Sequence, residues 1–469
     1  MFRLPSSLIV GFSAAVLLSG LGLLARMWAA APYPPQVLFD RISQFLGTPA
    51  MFNLIHHLLG VGQGGKIAAF LGVLLLWLGG LTLLGVLGPV IATGVLLLVL
   101  LFVVPAGWAV GYAVLYLLIR LALQPAVIQH QQGRREALNA LGVGSLAITV
   151  AASGSLLKKV LDGTDQTAAS AFKAGSPLPE GIVSQDDLYY VSKNLEGFDP
   201  LLSAEKWSLK IKGMVEKPGD LTLSDLKKFR QRDLELTLNC ISNPVGGFLI
   251  GNAIWTGFTL RDLLNQVGVK QGAKFILWKA ADGYIESLPL GEAYEEDVML
   301  VHSINGEPLT PKHGFPLRVL IPGRYGMKQP RWITEMELSS SDVPSYWSQR
   351  GWDKEAFIKP SSRFDVPEEG KPVVAGKELM MKGVAFAGKV PITRVEVSVD
   401  GGKTWQEAAL KDRRSKHAWT LWSLPWTPEA GIHEVVVRAY GAGKLQTDQT
   451  ADPLPSGSTG WHRFLVNAS

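Results

Sequence analysis

The chain has 469 residues, 47% of them hydrophobic and 18% charged, with a formal charge of +5 and a single cysteine. That length holds two to four domains with packed cores, and the composition excludes a disordered chain. One cysteine excludes a disulfide framework, a CxxC redox pair, cysteine-ligated iron–sulfur clusters and Cys-rich zinc sites. Seven basic residues (Arg3, Arg26, Arg41, Lys66, Arg120, Arg134, Arg135) and two acids (Asp40, Glu136) precede residue 158, leaving 38 of each sign in the remainder. The soluble part is therefore neutral and has no basic footprint for nucleic acid; the excess charge flanks apolar runs and reads as a topology signal.

The first third predicts transmembrane α-helices. Residues 8–24 are apolar between Arg3 and Arg26, long enough for a short span. Between Lys66 and Arg120 there is no charged residue, a run too long for one helix rising ~1.5 Å per residue across ~30 Å of hydrocarbon. Gly88-Pro89 divides it into 67–87 and 90–119, and Pro105 offers a further kink or split. A last run, 137–157, lies between Arg134-Arg135 and Lys158-Lys159. The region 1–158 thus reads as four spans, with five as the alternative. Four spans with the 26–66 and 120–136 loops in the cytoplasm leave only Arg3 outside among those seven basic residues and send everything after residue 158 to the extracytoplasmic side of the cell membrane. The sequence GRREALN at 133–139 reads either as an internal twin-arginine export signal or as an ordinary positive-inside flank. The histidines of this region are His56, His57 and His130. Bis-histidine haem needs imidazoles facing each other from separate helices, adjacent His56 and His57 point to different sides, and no CxxCH occurs, so no haem is expected.

Residues 159–185 contain Ser, Ala, Gly and Pro without strong periodicity and read as a linker. From 186 to 345 the pattern is α+β. WSLKIKGMV at 207–215 alternates as a strand, 223–230 reads as a short helix, and 234–238 alternates again and runs into Asn239-Cys240. A short helix at 260–267 and a buried strand at 274–279 follow. Residues 346–374 turn to Ser, Pro, Trp and charge and read as a connecting segment. The remainder, 375–469, predicts a small immunoglobulin-like β-sandwich, with a hairpin at 394–405 turning on Asp400-Gly401-Gly402 and a strand at 432–440.

Cys240 by itself is open to two readings, a small buried core residue or a nucleophile or soft-metal ligand. Its setting favours the second: it ends a strand, and Gly246 and Gly247 follow where backbone must approach a large ligand closely.

The motifs DLYYVSKN (187–194), LNCISNPVGG (238–247) with WTG (255–257), ADGY (281–284), NGEPL (305–309), HGFPLR (313–318) and PGRYGMKQPRW (322–332) occur in this order, ahead of DGGKTW (400–405). Together, over some 280 residues, they resemble the molybdopterin-dependent oxidoreductases of the sulfite oxidase family, and among them bacterial members with N-terminal membrane spans. The resemblance implies a sulfite-oxidase-like α+β molybdopterin domain, a dimerising β-sandwich, and Cys240 as catalytic residue and thiolate ligand of molybdenum, the pyranopterin dithiolene supplying the other sulfurs. It implies cofactor contacts from Tyr190, Lys193, Asn194, His313, Arg318, Lys328, Gln329, Pro330 and Arg331, cations and backbone groups suited to pterin and phosphate. Trp255, Asp282 and Tyr284 are candidates for lining the substrate pocket, with core packing as the alternative.

Three departures bear on substrate. The Arg of the family's Arg-Asn-His motif falls at Ser192, a second anion-binding Arg falls at Val245, and the family's active-site tyrosine falls at Trp352. Losing two guanidiniums removes bidentate contacts that a sulfite dianion requires, which favours oxygen-atom transfer on a neutral oxo substrate, sulfoxide reduction, over sulfite oxidation. The partners expected are that small substrate, the lipid bilayer, an external cytochrome or quinone and a second copy of the chain. A membrane-tethered, non-catalytic binding or assembly protein is the alternative, against which Cys240, His313 and Arg318 argue together.

Overall fold

The computed structural model describes residues 6–29, 31–45, 63–128, 180–194 and 198–469. The expected span at 137–157, the GRREALN motif, His56, His57, His130 and most of the 159–185 linker lie outside the described residues. Two compact units form, one from the N-terminal helices and one from nearly everything described after residue 180.

The helical unit contains Ser6–Ala29, Pro34–Phe45, Gln63–Leu84, Pro89–Val103 and Ala106–Ile128. Pro105 splits the 90–119 run: Val104 is extended, and the next helix starts at Ala106. Ser7–Arg26 and Ala106–Leu123 are long and apolar enough to cross a membrane, while Phe70–Leu84 and Pro89–Val103 are apolar but shorter. The amphipathic Pro34–Phe45 was not legible as a helix. Gly11 and Gly85 let the first and third helices meet, since a Cβ on Gly11 would lie 2.4 Å from the Thr82 carbonyl oxygen. Arg120 is buried and donates to the carbonyls of Leu84, Gly85 and Leu87, which caps the end of Gln63–Leu84.

The second unit carries two five-stranded sheets ahead of the sandwich. One orders Gly219–Thr222, Ser208–Gly213, Ile333–Ser339, Phe275–Ala280 and Ile285–Pro289, with Ser208–Gly213 parallel to Ile333–Ser339. The other pairs Arg232–Asn239 with Ile250–Thr259 and Ile250–Thr259 with Met299–Ile304, onto which both Glu307–Pro308 and Arg318–Leu320 add. The helix Leu260–Val267 starts at Thr259, whose hydroxyl accepts from Asp262 N–H, and its apolar face enters the first core. The helix expected at 223–230 stops at Leu226, because Lys228 and Phe229 close tighter turns onto Asp225 and Leu226.

In the sandwich, Ser361–Val366, Leu379–Phe386, Thr420–Trp426 and Ala409–Leu410 face Gln406–Glu407, Ile392–Ser398, Gly431–Gly441, Lys444–Leu445 and His462–Ala468. Phe364, Trp422 and Trp426 from one sheet pack with Val395, Val437 and Phe464 from the other. The segment read as a connection at 346–374 therefore supplies the strand Ser361–Val366. Its alternation is hidden by Arg363 and Asp365, which pair with each other. The Asp400 turn is as expected, with Gly401 and Gly402 at φ +76° and +94°, but the return strand begins at Gln406. The Asp400 carboxylate accepts instead from Lys403 and Thr404 N–H.

His462 is buried, and its Nδ1 accepts the Phe364 N–H at 3.1 Å. Burial, with Arg363 adding to it, lowers its pKa from 6.5 to about 4. The unfolded imidazole takes up its proton near 6.5 and the folded one only near 4, so stability is full above 6.5 and declines as pH falls towards 4. Denaturant titrations of wild type and His462→Gln should diverge by about 1 kcal/mol between pH 6 and pH 5, the variant being less acid-sensitive. Parallel stability curves would contradict this.

Candidate active site

Strand Arg232–Asn239 and strand Ile250–Thr259 are adjacent, with Asn239 opposite Ile250, so residues 240–249 are forced out as a wide loop. Cys240 opens that loop and is buried, with Sγ 3.0 Å from Ser242 Oγ. The loop is fixed from within: Cys240 N–H donates to Leu249 O (2.9 Å), Asn243 N–H to Cys240 O (3.1 Å), and Leu249 N–H to Asn243 Oδ1 (2.9 Å). A cleft lies against it, lined by Cys240, Val245, Tyr325, Lys359, Arg363 and Ser458 among others.

The residues of the first motif form a polar cluster. Tyr190 Oη donates to Asp199 Oδ2 at 2.6 Å and Ser192 Oγ to Asp199 Oδ1 at 3.0 Å. Asn194 Nδ2 bridges Asp199 (3.1 Å) and Asp282 (3.2 Å), and Lys193 Nζ lies 3.0 Å from Asn194 Oδ1 and 3.6 Å from Asp282. Arg331 joins this cluster through Val191 O (2.8 Å) and stacks over Tyr190 and Trp332. Gly314, at φ +106°, then brings Arg331 beside Arg318: a Cβ there would be 3.0 and 3.1 Å from their Cβ atoms.

Arg318 is the most telling side chain. Its guanidinium is buried, donates to His313 O (3.2 Å), and leaves Nε without a hydrogen-bond partner. Burial and the neighbouring Arg331 lower its pKa from 12.5 to about 9, and no carboxylate is paired with it among the described residues. Burial and both arginines also hold His313 neutral, with a pKa of about 3. Two cations, one buried and under-satisfied, fit an anionic group such as a cofactor phosphate.

Not every expected contact is available. Lys328 is buried with its ammonium on Glu286 (2.5 Å) and Ser287 O (2.9 Å), so it is an internal ion pair. The side chain of Gln329 bridges Arg324 O and Ile321 N–H, and the Pro330 carbonyl accepts Val319 N–H. Of the six residues expected to line a substrate pocket, only Val245 shares the cleft with Cys240. Trp255 is fully buried beneath Arg318, its Nε1 donating to Leu236 O, because its position on Ile250–Thr259 faces the core. Tyr284 donates to Met327 O at 2.6 Å, Asp282 and Ser192 belong to the polar cluster, and Trp352 is buried behind the turn Ser348–Arg350.

Sequence reasoning missed Tyr189, Tyr325 and Asp199. Tyr189 is half-buried near Cys240, Arg318 and Arg331, and loss of solvent raises its pKa above the ordinary tyrosine range. Tyr325 lines the cleft, its hydroxyl accepting from Lys359 N–H (3.3 Å), with its pKa pushed up to about 12 by burial. Both tyrosines fall inside the quoted motifs, and their placing beside the cysteine was the only signal.

Residues 196–347 match the oxidoreductase molybdopterin binding domain and 349–468 the Mo-co oxidoreductase dimerisation domain. Sulfite oxidase of Gallus gallus is 29% identical over 61% of this chain and 73% of its own length. Mitochondrial sulfite oxidase of Mus musculus is 31% identical over 62% of each chain. The sulfane dehydrogenase SoxCD of Paracoccus pantotrophus shares the fold, with a TM-score of 0.56 and 23% identity over 66% of this chain and 92% of that one. The chain belongs to the sulfite oxidase family of molybdopterin-dependent oxidoreductases, with a β-sandwich dimerisation domain after the molybdopterin-binding domain.

The buried Lys328–Glu286 pair gives a stability prediction. Lys328→Met strands a carboxylate that burial already pushes above its usual pKa, at a cost of about 3–5 kcal/mol. Lys328→Met with Glu286→Leu should recover most of that loss in denaturant unfolding, whereas equal losses in both variants would contradict the pairing.

Proposed function

We propose that this protein is a membrane-anchored molybdenum oxidoreductase that transfers an oxygen atom at a centre ligated by Cys240, with sulfoxide-type substrates favoured over sulfite. The observation that carries the reading is the position of Cys240, the chain's one cysteine, in a glycine-containing loop at a strand end, on a cleft. The molybdenum–pterin group, when bound, supplies two-electron oxygen-atom chemistry. Arg318 and Arg331 would hold its anionic end, neutral His313 would hydrogen-bond beside them, and Tyr190, Lys193 and Asn194 would form the polar wall, fixed by Asp199 and Asp282. Gln329 and Pro330 would shape the strand edge behind Arg318.

On this reading the chain runs as a membrane region (1–158), linker (159–185), molybdopterin domain (186–345), connecting segment (346–374) and immunoglobulin-like sandwich (375–469), pairing with a second copy. Support for the anchor comes from outward apolar side chains, Leu75 at 70%, Val90 at 76% and Phe102 at 78% exposure, a surface suited to lipid. The charge distribution around the apolar runs supports a catalytic domain on the extracytoplasmic side. Electrons would come from an external cytochrome or quinone. A reporter fused after Lys159 should be active only outside the cytoplasm; activity inside would refute the export.

The preference for a neutral substrate rests on charge. Val245 brings none to the cleft, and Ser192 is tied to Asp199. Of the nearby cations, Lys193 faces Asp282 and Arg324 faces Glu292 and Glu355, while in the cleft itself Arg363 faces Asp365 and Lys359 donates to Ser456 Oγ and Gly457 O. Losing two charge-assisted contacts weakens dianion binding by about 3–6 kcal/mol, on the order of 10²–10⁴ in affinity. With artificial redox partners, sulfoxide reduction should exceed sulfite oxidation in kcat/KM. The opposite ranking would return the assignment to sulfite. Cys240→Ser should abolish turnover while leaving the fold intact.

A further inference from the structure

We infer that Arg363, Ser458 and His462, all from the β-sandwich, are positioning residues that fix the loop bearing Cys240, so that the dimerisation domain is a working part of the redox centre. The inference rests on the reading of Cys240 as the metal ligand.

The inner arm of the 240–249 loop is fixed by its own hydrogen bonds, while the outer arm, 243–247, closes a single turn of its own, Gly247 N–H donating to Pro244 O at 3.0 Å. Three sandwich side chains meet those five residues. Ser458 Oγ donates to Asn243 O at 2.6 Å. Arg363 Nη1 donates to Gly247 O at 2.8 Å. Between these two points Gly246, at φ +72°, lies flat on the His462 ring, where a Cβ would come within 2.4 Å of Cδ2 and Nε2. No other residue type fits both that backbone conformation and that approach.

Each of the three is itself held. Arg363 Nε donates to Asp365 Oδ1 at 2.8 Å, and its guanidinium stacks on Phe248 of the same loop, 4.6 Å from the ring centre. The His462 ring is pinned by the Phe364 N–H on Nδ1 and packs beside the Phe364 ring. Phe364 and His462 belong to neighbouring parts of the sandwich core, on Ser361–Val366 and His462–Ala468. Ser458 precedes the second of these strands. The loop is therefore gripped by a rigid β-structure that contributes no ligand. A thiolate's orientation at a metal, and with it the centre's electronic properties, depends on such outer contacts.

The test uses the full-length holoenzyme and reads the molybdenum(V) electron paramagnetic resonance signal besides activity. Arg363→Ala and Ser458→Ala are expected to keep the wild-type molybdenum content and fold. Both should broaden or shift the signal and lower kcat about tenfold and threefold respectively, with KM changed less than twofold. Arg363→Lys, which keeps one donor to Gly247 O, should recover part of both effects. A signal identical to wild type in Arg363→Ala and Ser458→Ala, with lowered thermal stability alone, would overturn the inference, because a merely structural clamp does not move the spectrum. Should Arg363→Ala fail to fold, Ser458→Ala, which removes one hydrogen bond and little packing, decides the question by the same signal. A Cys240→Ser enzyme with an unaltered signal would instead overturn the ligand assignment beneath it, so the two failures are distinct.

Discussion

A guanidinium buried beside a second one, with no carboxylate to neutralise it among the described residues, is the constraint around which this site is organised. Arg318 sits over the Trp255 ring on a strand edge, and its remaining contacts are carbonyl oxygens and the nearby Arg331. Burying such a charge costs several kcal/mol unless something anionic answers it. Burial and the two arginines together keep His313 neutral, whereas at Tyr189 burial raises the pKa against the lowering effect of the same arginines. On the proposed reading, a phosphate-bearing cofactor would supply the counter-charge, and the residues from Tyr190 to Asn194 would form its polar wall.

The remaining cations divide cleanly by partner. Lys328, Lys193 and Arg324 each face a carboxylate, and their charge is spent inside the protein. Of the cations in the quoted motifs between 187 and 332, Arg318 and Arg331 are those that face no carboxylate among the described residues. The cleft beside Cys240 keeps two cations of its own, Arg363 facing Asp365 and Lys359 donating to Ser456 Oγ and Gly457 O.

Much of this was legible in the sequence, for definite reasons. The strand running into Cys240 and the helix Leu260–Val267 follow from alternation and an Asp-containing cap, local signals that tertiary packing did not override. Membership of the family was carried by spaced motifs. What the sequence did not give was direction. Lys328 and Arg318 look alike as basic residues in adjacent motifs, and only the fold puts Glu286, about forty residues away in the chain, under one of them. Trp255 sits on a strand whose two faces are a core and an opening, and its facing was decided by register. Asp199 stayed hidden because it has no local pattern, and Tyr325, although inside a quoted motif, because only the fold sets it on the cleft with Cys240. The helix at Pro34–Phe45 was masked by Asp40 and Arg41 within a segment read as a loop.

The sandwich shows the same limit at domain scale. Its strands were visible as alternating runs, but its grip on the cysteine loop depends on contacts spanning over one hundred residues, Arg363 to Gly247 and Ser458 to Asn243. The central proposal is the bond between Cys240 and molybdenum. X-ray absorption at the molybdenum edge of the purified holoenzyme tests it most directly. Three sulfur neighbours in the wild type and two in Cys240→Ser are expected; a sulfur count unchanged by the substitution would contradict the account.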